Sequence, residues 1–136
     1  MISEAPQAAI GFTAYATVNR TYAAYQQVLF DAVLNNEGFG YQQSSSMFIC
    51  PVDGLYVFAA SLCSRSTGFN AVIKKESQAL LSVKSHNGQE DQGMVTVVVQ
   101  CLATERVWVR TNAHDGTAIS SDEQRYVTFS GFLINY

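Results

Sequence analysis

Met47-Phe48-Ile49-Cys50-Pro51-Val52-Asp53-Gly54-Leu55-Tyr56-Val57-Phe58 is the stretch whose reading decides the fold. Two runs of β-branched and aromatic residues flank four turn formers. Pro51 and Gly54 suit a type I turn, in which proline fixes φ and glycine follows. The stretch therefore predicts a hairpin with Cys50 opposite Leu55. In that register Cys63 falls opposite Gln42. A Cys50–Cys63 bridge would then need a reach far beyond the roughly 5.5 Å between bridged Cα atoms.

The same pattern continues in both directions. Short β-rich runs cover 9–17, 28–34, 70–74, 79–85, 95–102, 106–111 and 127–134. Turn signals separate them, among them Asn35-Asn36-Glu37-Gly38, Asn87-Gly88 and Asp115-Gly116. Apolar residues hold a helical period nowhere for three turns. Frequent short strands with turns read as an all-β sandwich or jelly roll. The final run, Thr128 to Tyr136, is apolar enough that an open edge would invite aggregation. It belongs in the middle of a sheet or beneath a neighbouring subunit.

The 136 residues fit one domain. No repeat, linker or low-complexity segment divides them. Residues 1–8 read as a flexible lead-in and 9–136 as the globular domain. Charged residues make up 14% and aromatics 12%, against a usual charged share of about 25%. So little charge with so many rings implies more buried surface than one small monomer needs, and hence an oligomer. The net charge of −3, with no basic stripe, excludes a nucleic-acid binder. No apolar run approaches the roughly 20 residues of a membrane helix. Met1 to Pro6 lacks the charged and apolar regions of a signal peptide. A removed signal and a cytosolic location both stay open on that evidence.

The three cysteines are Cys50, Cys63 and Cys101. An odd count rules out complete pairing within one chain. Buried thiols are the plain reading; one disulfide or an intermolecular bridge are the alternatives. Their spacing fits no zinc site, and His86 and His114 stand far from all three. Neither histidine sits in a nucleophile motif, and no phosphate loop is present. The sequence offers no support for an enzyme.

Phe30, Asn36, Tyr41, Phe48, Gly54, Tyr56 and Phe58 stand at fixed offsets. That spacing resembles the aromatic signature of the complement globular-head (C1q) domain family, with Ala60 where the family usually has an aromatic. Phe69 to Ile73, Arg106 to Val109 and Phe129 to Leu133 resemble the family too, so the likeness covers nearly the whole chain. The style is closest to stalkless invertebrate C1q-domain proteins of innate immunity. The resemblance implies a ten-stranded jelly roll, shared with tumour-necrosis-factor-like ligands. It also implies a secreted homotrimer that binds and does not catalyse. Phe30, Phe48, Tyr56, Phe58, Trp108 and Phe132 are then core or trimer contacts. The cysteine that pairs with the Cys50 position in complement heads would lie near Ser85 to Asn87, and none is there. Cys101 stands where relatives carry an apolar strand residue and reads as core. The chain has no Gly-X-Y collagen tract, which argues against a matrix trimerisation module.

Ligand contacts on a sandwich come mostly from loops. Three polar loops, 64–68, 85–93 and 113–125, supply the candidates. Arg65, His86, Asn87, Asp91, His114, Asp115, Asp122, Arg125 and Tyr126 could bond sugar hydroxyls or anionic groups. Calcium, which takes several oxygens from flexible loops, is a further expectation at Asp91. Asp91-Gln92 resembles an Asp-Gln in a hormone of the family, whose aspartate contacts calcium. The second acid upstream is missing, since Val83 and Lys84 stand there. Asn19-Arg20-Thr21 is an N-glycosylation sequon at Asn19. The expected function is pattern recognition of microbial or cell-surface glycans, with a signalling ligand for a protein receptor as the alternative.

Overall fold

The computed structural model describes residues 8–65, 68–85, 91–112, 117–120 and 125–135. Two five-stranded antiparallel sheets face each other. The first has the order β3-β1-β12-β6-β9, from Ala32–Glu37, Gly11–Tyr15, Thr128–Asn135, Gly54–Ser64 and Asp91–Cys101. The second has the order β4-β5-β10-β7-β8, from Tyr41–Gln42, Met47–Ile49, Arg106–Thr111, Asn70–Lys75 and Gln78–Lys84. A two-stranded ribbon joins β11 (Thr117–Ile119) to β2 (Arg20–Tyr22). No helix occurs among the described residues. The all-β jelly roll is as the sequence reads.

Strand alternation builds the core. Phe12, Phe58 and Phe129 of the first sheet meet Tyr41 and Phe48 of the second, all buried. Phe12 stacks on Phe48 with ring centroids 4.8 Å apart and meets Phe129 edge-on at 4.9 Å. Such ring pairs add about 0.5–1.5 kcal/mol beyond burial. The signature polar residues serve this core. Asn36 donates to the Tyr41 carbonyl at 2.9 Å and accepts from its N–H at 3.1 Å, closing the β3–β4 turn. The Tyr41 hydroxyl donates to the Phe30 carbonyl at 2.7 Å. Burial pushes that phenol up to about 12.

β12 lies at the centre of its sheet, between β1 and β6, as its composition requires. The hairpin expectation at 47–58 is overturned. β5 pairs with β4 and β10, while β6 pairs with β12 and β9. Pro51 to Asp53 instead forms an arch from one sheet to the other. Cys50 therefore does not face Leu55, nor Cys63 Gln42. Leu55 pairs with Gln100 and Cys63 with Gln92.

The reading of Cys50 and Cys101 as buried thiols is likewise corrected. They form a disulfide, with Cα atoms 6.6 Å apart. The arch brings this about. Gly54 pairs with Cys101, while Cys50 donates its N–H to the Glu105 carbonyl at 2.9 Å. The bridge thus staples the two sheets where β5 and β9 end. Cys63 stays outside it as a buried thiol.

Other boundaries also differ. The run at 28–34 starts as a strand only at Ala32, because Val28 donates instead to the Val109 carbonyl at 2.8 Å along the edge of β10. β9 begins at Asp91, four residues before the expected 95, because β6 supplies partners that far. The short strands β2, β4 and β11 carry too few residues for a period to show. Residues 1–7 of the expected lead-in lie outside the described residues.

Candidate functional site

At the far end of β6 from the disulfide, an open groove of about 540 Å³ is lined by Cys63, Asp91, Gln92 and Tyr126. Strand register assembles it. Ser64 faces Asp91 and Cys63 faces Gln92 across β6 and β9, and Ser61 faces Thr128 of β12. Tyr126 and Arg125 enter just before β12.

Polar bonds hold the floor. Ser61 Oγ donates to the Tyr126 carbonyl at 3.1 Å, and Gln92 Nε2 donates to Ser61 Oγ at 3.0 Å. Asp91 Oδ1 accepts the N–H of Gln92 at 2.9 Å. Ser64, fully buried, accepts the Gly68 N–H at 3.0 Å. The Arg125 guanidinium carbon stands 4.4 Å from the ring centroid of Tyr15 on β1. Arg125 has φ +59°, a left-handed conformation costly for a residue with Cβ. Tyr126 is 43% exposed. The groove therefore presents an aromatic ring, a carboxylate and an amide on the frame of β6 and β9. Those groups suit polar, hydroxylated ligands.

The structure brings Asp91 together with Tyr126, far away in sequence, whereas the Arg125 guanidinium sits against Tyr15 of β1 and does not line the groove. Arg65 follows directly on β6 at the same end and is exposed. His86, Asn87, His114, Asp115 and Asp122 lie outside the described residues. Asp91 is a strand residue here, not the loop residue the sequence suggests, because its pairing with Ser64 extends β9. The sequence does not single out Ser61 or Cys63, since only the pairing of β6 with β9 and β12 places them here. Asn19 is exposed ahead of β2, as a sequon acceptor must be.

Calcium needs about 6–8 oxygens. Asp91 is the one carboxylate lining the groove among the described residues, and no group of three His, Cys, Asp or Glu stands together among them. The described residues alone do not fit the ion.

Residues 11–134 match the C1q domain family. Caprin-2 of Danio rerio is 29% identical over 133 residues, or 94% of this chain. The chain spans 14% of that relative's length. The globular domain of zebrafish complement 1qA protein has a TM-score of 0.74 at 22% identity, covering 92% of this chain and 97% of that one. Murine APRIL has a TM-score of 0.73 at 10% identity, covering 94% and 100%. These two likenesses are of fold.

Proposed function

The chain belongs to the C1q domain family, and from that membership we propose that it is a secreted homotrimer of innate immunity that recognises microbial or cell-surface glycans. The domain is a binding module and not an enzyme. The observation that carries the binding reading is the groove of Asp91, Gln92 and Tyr126, with its aromatic and polar lining on a rigid strand frame. Weak single-sugar binding at three equivalent grooves would become useful avidity. Two further features support the reading. The Cys50–Cys101 disulfide fits an oxidising, extracellular compartment. The outer face of the first sheet carries an exposed apolar row that suits self-assembly. No helix among the described residues is long and apolar enough to cross a membrane.

The test is a glycan array probed with calcium and again with chelator. Signal in both conditions, reduced at least tenfold by Tyr126→Ala, supports sugar binding in the groove. Signal lost to chelator adds a calcium held by Asp91 and the adjoining loop. Silence in both conditions sinks the glycan reading and favours a signalling ligand for a protein receptor.

A further inference from the structure

Charge is divided between the two sheets. The strands of the second sheet carry Lys74, Lys75, Lys84, Arg106 and Arg110, five of the eight cations in the chain, and no acid. The strands of the first sheet carry Glu37 and Asp91 and no cation. A protein of net charge −3 thus keeps one basic layer.

The outward side of that layer follows from alternation. Val107, Val109 and Thr111 of β10 are buried, so Arg106, Trp108 and Arg110 face out. Trp108 pairs with Lys74, and Arg110 with Val72. Arg106 is already satisfied. Its Nε and Nη2 donate to the two carboxylate oxygens of Glu76 at 3.0 and 2.9 Å. Arg110, on the same side of the same strand, meets no acid among the described residues. Its Nε is sealed from solvent without a hydrogen-bond partner there. Its guanidinium carbon stands instead 5.1 Å from the ring centroid of Tyr25.

Tyr25 is held in place from below. The buried Thr111 hydroxyl donates to the Ala23 carbonyl at 2.7 Å and accepts the Gln26 N–H at 2.9 Å. The Tyr25 N–H donates to the Asn112 carbonyl at 3.1 Å. Tyr25 adopts φ +59° and is 61% exposed. The strained Tyr25 thus presents its exposed ring beside a cation that meets no acid among the described residues.

We infer that the outer face of this sheet, centred on Arg110 with Tyr25, Trp108 and Lys74, binds an anionic saccharide through its carboxylate or sulfate. With Nε sealed, the amino groups at the end of the half-buried Arg110 guanidinium are the donors left for such an anion, an end-on grip unlike the Nε–Nη2 hold of Arg106 on Glu76. The exposed ring of Tyr25 and the half-buried ring of Trp108 offer flat apolar faces for the sugar. This deepens the glycan reading and rests on it. It lies on a different surface from the groove.

The test measures binding of the intact protein to immobilised polyuronate, a sulfated polysaccharide, neutral mannan and single-stranded DNA. Wild type is compared with Arg110→Gln and Arg106→Gln, each of which removes one charge. Arg110→Lys keeps the charge without the fork. Oligomeric state and melting of every variant are checked first. The inference expects one or both acidic polysaccharides to bind, at least tenfold more weakly to Arg110→Gln and nearly unchanged to Arg106→Gln. Arg110→Lys should fall between. The polyuronate and sulfated arms separate carboxylate from sulfate. Equal loss in both glutamine variants, or none in either, overturns the site while wild-type binding leaves the glycan reading standing. DNA bound as tightly as the saccharides overturns the ligand class. Binding of mannan alone overturns the inference and keeps the broader reading. Binding to none of the polymers removes both.

Discussion

Cys101 shows how much one residue can hide in a sequence. The run Val97-Val98-Val99 just before it marks it as a strand residue, and it is one. Its partner is set by an arch around Gly54 that no local signal announces. The disulfide it forms closes a span of 51 residues. Constraining a loop of that size in the unfolded chain is worth about 2–4 kcal/mol. Cys50→Ser with Cys101→Ser should lower the urea midpoint correspondingly, and reductant should do the same to wild type but not to the variant. Identical midpoints for all forms would show that the thiols are unpaired. Glu76 gives a second expectation. The hydrogen bonds from Arg106 lower its carboxyl from 4.5 to about 2. A lowered folded value makes the stabilisation fully present above the unfolded value and lost as pH falls through the folded one. The melting advantage of wild type over Glu76→Gln should thus shrink between about pH 4.5 and 2. It should be small throughout, because the pair faces solvent. An advantage unchanged down to pH 2 would remove the pair's role.

At the scale of elements, nearly every long strand is legible and some of their partners are not. The runs at 47–50 and 55–58 are both strands, yet they belong to opposite sheets. Pro51 and Gly54 bend the chain in the same way for a hairpin or an arch. The choice is made by distant partners, β10 for β5 and β12 for β6. The candidate site divides the same way. Asp91, Arg125 and Tyr126 are readable as polar groups near strand ends. Ser61 and Cys63 enter only through the pairing of β6. The central strand β12 offers a sharp test of that pairing. Gly131 faces Phe58 across the sheet, and a Cβ there would meet Phe58 Cδ1 at 2.5 Å and Phe12 Cε1 at 2.9 Å. Both rings are buried and packed against others, so neither can retreat cheaply. Gly131→Ala should cost about 1–3 kcal/mol of stability by overpacking. An unchanged melting temperature would mean that this ring cluster yields to an added methyl group.

The molecule as a whole has two unlike outer faces, one with an exposed apolar row and one on the sheet that carries most of the cations. On the first sheet Phe132, Val57 and Val98 form one cross-strand row, since Phe132 pairs with Val57 and Val57 with Val98. Phe132 is 52% and Val98 56% exposed in the single chain. A pure core role for Phe132 is therefore excluded, and an assembly role remains. Leu55 and Ile134 are exposed close by, and no cation lies on these strands. An apolar face of this kind gains about 25 cal/mol for each Å² covered by another copy. A buried, unpaired charge would cancel that gain, whereas on a free surface it would be tolerated. Phe132→Asp should therefore turn the proposed trimer into folded monomers, and Val98→Asp should do the same. Sedimentation would read the mass, and circular dichroism would show an unchanged β spectrum. Arg110→Gln, on the opposite sheet, should leave the mass alone. A fully trimeric Phe132→Asp would place the assembly face elsewhere. It would also free the apolar row for a different partner.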